Sequence, residues 1–142
     1  MAGEIFYIVK AAEAKNFKKD PESIWDLERD KVSHLDMGLR GYELDAALSD
    51  LGAEGSLLSI AVAGGDDIGG PTCHIRYLAP AKVKDIASEL EGVDMEELHN
   101  SFCRMNSSGD EGFEGCRECF QDLVALFKEA SRKKMGIVKT IY

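Results

Sequence analysis

Two aspartates side by side in a glycine-rich loop are the densest chemical feature of this chain. Residues 61–78 read AVAGGDDIGGPTCHIRYL, and Gly64-Gly65-Asp66-Asp67-Ile68-Gly69-Gly70 joins two short apolar runs. Glycine serves where the backbone takes φ > 0 or approaches another group closely, so the loop has a demanding shape with two carboxylates at its centre. Downstream, strand alternation puts His74, Arg76 and Leu78 on one face and Cys73, Ile75 and Tyr77 on the other. Arg76 can clamp a carboxylate, either Asp66 or Asp67 or that of an acidic ligand, and the internal salt bridge is the favoured alternative. The candidate ligand-binding set is therefore Gly64, Gly65, Asp66, Asp67, Arg76 and Tyr77.

Several chemistries fail on these residues. A phosphate cradle needs backbone amides, a helix start and usually a lysine; here two acids repel anions and no Gly-Lys-Ser/Thr follows. The string is similar to the Gly-Gly-Asp-Glu-Phe signature of dinucleotide cyclases and the Gly-Asp-Asp turn of RNA polymerases, whose acids serve metal-assisted phosphoryl transfer. Residue 68 is Ile, however, and the chain is too short for a polymerase palm. Two adjacent acids leave a divalent cation with an incomplete shell, and a plain connecting loop is the stronger competing reading.

Cys116-Arg117-Glu118-Cys119 is the second chemical candidate. At a helix start, Cys-x-x-Cys can be a thiol redox centre or half of a zinc site. Against redox chemistry, Asp110, Glu111, Glu114 and Glu118 surround it and raise a thiol pKa. Against zinc, no second Cys-x-x-Cys exists, and Cys73, His74, His99 and Cys103 would have to converge by folding. Reduced cysteine on an apolar helix face packs as a small hydrophobe, which is the favoured reading. His34 and His99 fall on expected helices without recognisable partners. No Gly-x-Ser-x-Gly motif is present. Catalytic residues are unassigned, and no metal or cofactor is expected.

The elements that must carry these residues follow from periodicity. Ile5–Lys10 reads as a strand and Ala11–Lys19 as helical. Asp20 and Pro21 start a helix whose face carries Ile24, Leu27 and Leu35, beside Trp25. Leu44, Ala47, Leu48 and Leu51 fall at i, i+3, i+4, i+7 and Gly52 closes that helix. Leu57–Ala63 and Cys73–Leu78 read as strands, although the first half of the former can continue a helix. Pro80 opens a helix with Val83, Ile86, Ala87 and Leu90 on one face, ended by Gly92, and Asp94 caps a short one carrying Met95, Leu98 and Phe102. The last helix carries Cys116, Phe120, Leu123, Val124, Phe127 and Ala130 on one apolar face; Gly136 suits its C′ position, and Ile137–Tyr142 is a final strand. The fold class is α+β, a single compact domain over 1–142 with a small sheet against about five or six helices. Parallel pairing through helical crossovers keeps α/β open.

Composition bounds the function. The 142 residues suit one domain, and a net charge of −9, from 26 acids and 17 bases, argues against nucleic-acid binding and anionic membranes. A basic protein partner would be steered favourably. No apolar run approaches the roughly 18 residues of a membrane helix, and no signal sequence is visible, so the expected location is the cytoplasm, with the four cysteines mostly reduced.

Residues 61–86 carry a resemblance: an apolar strand, Gly-Gly, Ile68-Gly69, Arg76-Tyr77-Leu78, Pro80, then Val83 and Ile86 three apart. Leu44-Asp45 with its helix precedes them; Glu96-Glu97-Leu98, Phe102, a long aromatic helix and a terminal strand follow. In this order and spacing the chain resembles the YfbM-like family of bacterial proteins, a domain of unknown function. It departs at Leu48 and Ser49, where such proteins often carry Trp and His, and at Ser107–Gly115, usually longer and more aromatic. The resemblance implies a compact cytoplasmic α+β domain and assigns no catalytic residue. The functional expectation is a non-catalytic binding or protein-interaction module; the alternative is a metal-dependent or small-molecule-binding enzyme using the Gly64–Gly70 loop.

Overall fold

The chain's first and last strands lie side by side at the middle of one sheet. The computed structural model describes residues 4–26, 33–38, 40–52, 56–68, 74–106 and 111–141. In chain order these form β1 (Glu4–Val9), α1 (Ala11–Lys19), a 3₁₀ helix (Pro21–Asp26), β2 (His34–Asp36), α2 (Arg40–Gly52), α3 (Leu57–Ile60), β3 (Asp66–Asp67), β4 (His74–Leu78), α4 (Pro80–Glu91), α5 (Met95–Met105), α6 (Phe113–Arg132) and β5 (Gly136–Ile141). The sheet order is β2-β1-β5-β4-β3, and every neighbouring pair is antiparallel. The class is α+β, as expected, and the parallel alternative is not realised.

The sheet is buried on both faces. Opposite residues of antiparallel strands share a face, so the register defines two rows: His34, Tyr7, Val138, Tyr77, Asp66 on one side and Leu35, Phe6, Lys139, Arg76, Asp67 on the other. The first side is covered by Ala14 and Phe17 of α1 and by Ile24, which pack with Ile5, Tyr7, Val9, Ile75, Tyr77 and Val138. The second, larger core joins Phe6, Ile8, Leu78 and Ile137 to apolar faces of α2, α4, α5 and α6, with Leu44, Leu48, Ile86, Leu90, Leu98, Phe102, Leu123 and Phe127 almost wholly buried.

Three sequence expectations are corrected. Leu57–Ala63 is not a strand: Leu57–Ile60 is a helical turn, capped by the Ser56 hydroxyl, which accepts from Ser59 N–H at 3.2 Å. A short continuous apolar run does not distinguish a buried helix from a strand, and the cap decides. Leu35 and His34 lie on β2, not on a helix; the helix begun at Pro21 is a six-residue 3₁₀ segment with Ile24 buried, and Leu27 lies outside the described residues. Lastly, Gly136 opens β5 and is not the C′ residue of α6. Lys134 takes the left-handed conformation there (φ 56°), and Met135 N–H closes the turn on Ala130 C=O at 2.9 Å, a Schellman pattern.

Candidate functional site

The glycine loop is shaped by its own chain. Gly64 N–H donates to Ile60 C=O at 3.1 Å, and a Cβ on Gly64 would lie 2.4 Å from Ile60 Cβ. Gly65 has φ +126°, and a Cβ there would sit 2.9 Å from Tyr77 C=O. Both glycines therefore let the chain leave α3 and lie against β4. Asp66 and Asp67 then form β3, with Asp66 opposite Tyr77 and Asp67 opposite Arg76, and Ile68 N–H extends the pairing to Ile75 C=O at 2.9 Å. Gly69 and Gly70 lie outside the described residues.

Strand geometry separates the two acids. Successive strand side chains point to opposite faces, so Asp66 and Asp67, both exposed, do not converge on one cation. Asp66 joins Tyr77, whose hydroxyl pKa is pushed up by burial and then by the Asp66 charge; Lys18 Nζ stands 5.2 Å from the Tyr77 ring centre. Asp67 and the half-buried Arg76 share the other face. A cavity of about 330 Å³ is lined by Gly65, Asp66 and Tyr77 together with Ile60, Leu78, Ala79 and Lys82. Three of the six expected ligand-binding residues thus line one cavity. Arg76 and Asp67 are cross-strand neighbours, and Gly64 turns its carbonyl inward.

That carbonyl leads to a residue the sequence reading passed over. Lys139, with 0% of its surface exposed, donates from Nζ to the carbonyls of Ile60 at 2.8 Å, Ala61 at 2.9 Å and Gly64 at 2.9 Å, and Nζ lies 5.3 Å from the Phe6 ring centre. Burial pushes the Asp45 carboxyl pKa up, while the Lys139 charge and a hydrogen bond from the Ala63 backbone pull it back. The backbone entering the Asp66–Asp67 pair is thus held from beneath by one ammonium group. A lone lysine within Ile137-Val138-Lys139-Thr140-Ile141 was the available signal.

The cysteine motif is structural. Cys116 and Cys119 are buried in the large core, and burial, followed by the neighbouring Cys119 and Glu43, pushes the Cys116 thiol up to about 12. A redox thiol needs a shift the other way. His99 stacks on Phe113 with ring centres 4.2 Å apart. Among the described residues no three His, Cys, Asp or Glu side chains gather to hold a metal ion, and no helix is long and apolar enough to cross a membrane. Cys73 lies outside the described residues.

Comparison with known proteins bears on fold and family. No curated protein matches the chain. The crystal structure of YfbM from Escherichia coli, a protein of unknown function, matches with a TM-score of 0.76 over 99% of both chains at 16% sequence identity; at that identity the likeness concerns the fold. Residues 1–140 match the sequence model of the family described as a domain of unknown function, DUF1877, and with nearly its whole length covered the chain belongs to that family.

Proposed function

We propose that this protein is a non-catalytic cytoplasmic interaction module that takes a basic protein partner. The observation that carries the reading is an open groove of about 500 Å³ between the β2 edge and α6. Asp122 and Glu129, seven residues apart on one helix, line it beside His34, with Leu35, Ala125 and Leu126 as its apolar floor. Residues i and i+7 share a helix face, so the two carboxylates flank one apolar strip. A partner segment with Lys or Arg on either side of an apolar anchor fits that pattern, and the chain's net charge of −9 accelerates its approach.

A second reading keeps the glycine loop as a small-molecule site, favoured by the cavity that gathers Gly65, Asp66 and Tyr77 with Lys82. The metal-dependent form of that reading loses support, since Asp66 and Asp67 occupy opposite faces of β3.

One experiment separates these. A fluorescent peptide carrying two Arg-Leu-Arg units is titrated at low salt against the protein and two double variants. Under the groove reading, Asp122→Asn/Glu129→Gln weakens binding at least tenfold, whereas Asp66→Asn/Asp67→Asn changes it less than twofold. Loss confined to the loop variant moves the site to β3, and no saturable binding by the parent protein overturns the basic-partner reading.

A further inference from the structure

The outer surface where α4 packs on α6 carries charge of the opposite sign to the chain as a whole. Lys84 and Ser88, one turn apart on α4, and Lys128, Ser131 and Arg132 on α6 line a shallow cavity of about 310 Å³. Glu91 is its one acid, and Lys128 Nζ occupies it at 3.3 Å. Among the described residues, Lys84 and Arg132 have no ion-pair partner, and the Ser88 and Ser131 hydroxyls have no hydrogen-bond partner. Three cations therefore face one acid in a chain of net charge −9. Packing does not demand them, because Lys84, Ser88, Lys128 and Arg132 are all exposed.

We propose that this groove binds a small phosphate-bearing ligand. The Arg132 guanidinium offers a planar fork to two phosphate oxygens, Lys84 adds a point charge across the groove, and the two hydroxyls donate to the remaining oxygens. The volume lies at the small end of ordinary ligand sites. Scale decides against a larger anion. At physiological ionic strength fields fade over about 8 Å, so a small ligand in the groove meets chiefly its own lining, the three cations Lys84, Lys128 and Arg132 against the single acid Glu91. A nucleic acid or acidic protein lying across the surface also meets the excess acids beyond it. The negative dipole end of α6 opposes an anion near Arg132, which favours ligands that also engage the Lys84 side.

Sodium pyrophosphate is the probe, titrated at constant ionic strength into ¹⁵N-labelled protein. Saturable shifts of the Ser88 and Ser131 amides are expected, with a rise in melting temperature. Lys84→Gln/Arg132→Gln weakens the affinity at least tenfold while leaving the probe-free melting temperature within a degree; Lys15→Gln, on α1, leaves the affinity unchanged. The proposal is overturned by linear shifts matched by equal chloride, by pyrophosphate binding that survives the double variant, or by a poly-glutamate peptide saturating the same amides where pyrophosphate does not.

Discussion

Burying an ammonium group is costly unless its protons find acceptors, and Lys139 gives its three to the carbonyls of Ile60, Ala61 and Gly64. Those carbonyls belong to the bend that ends α3, where backbone donors run short. Lys139→Met keeps the volume and the apolar stem but takes the donor from the Ala61 and Gly64 carbonyls, while Ile60 C=O keeps the Gly64 N–H. The expected cost is about 2–4 kcal/mol, read as a lower urea midpoint with an unchanged slope. An equal or higher midpoint would mean that desolvating the ammonium outweighs its bonds. Asp45 moves with it: losing the cation raises its carboxyl further. A raised folded-state pKa means that the native state binds the proton more readily than the unfolded chain, so the variant gains stability as pH falls through that value. Glycine content and the two acids pointed to the loop from sequence, and Gly65, Asp66 and Tyr77 line a cavity beside it. What joins residue 139 to residues 60–64 is long-range pairing of β5 with β4, which no local pattern reveals.

Helix ends carry the clearest element-scale energetics. Asp94 caps α5, its carboxylate accepting from the backbone N–H groups of Glu96 at 2.7 Å and Glu97 at 3.4 Å. Lys134, past the other end of α6, holds φ 56°, a conformation that suits glycine. Opposite effects are therefore expected in thermal unfolding. Asp94→Ala lowers stability by about 1 kcal/mol, and Lys134→Gly raises it by up to about 1 kcal/mol by removing the left-handed strain. A drop with Lys134→Gly would show that its side chain contributes more than its backbone costs. The Asp94 cap was legible from its side chain, and the faces of α2, α4 and α6 and strands β1, β4 and β5 from the spacing of their apolar residues. β3 was not: aspartate is a poor strand former, and Asp66 and Asp67 are extended because Tyr77 and Arg76 lie across from them. For the same reason His34 and Leu35 could not be placed on β2, whose three residues owe their state to pairing with β1.

For the whole molecule, salt sets two electrostatic effects against each other. Ion pairs such as Arg104–Asp50 at 2.8 Å, Arg117–Glu114 at 2.7 Å and Lys128–Glu91 at 3.3 Å weaken as salt rises, but exposed pairs contribute only about 0–1 kcal/mol each. The net charge of −9 repels itself across the folded globule and relaxes when the chain expands. Charges farther apart than the Debye length, about 30 Å at 0.01 M and about 10 Å at 0.1 M, are screened first, whereas a contact pair at 2.8 Å retains most of its attraction. Repulsion should therefore fade before pairing does, and the melting temperature should rise as sodium chloride goes from about 10 to 300 mM. Arg104→Gln sharpens the test. It removes the guanidinium that donates from Nε and Nη2 to Asp50 Oδ2 and holds that carboxyl below its usual range, and it takes the net charge to −10, so its melting temperature should start lower and climb more steeply with salt. A falling curve for the parent protein, flattened in the variant, would instead assign the dominant role to local pairs.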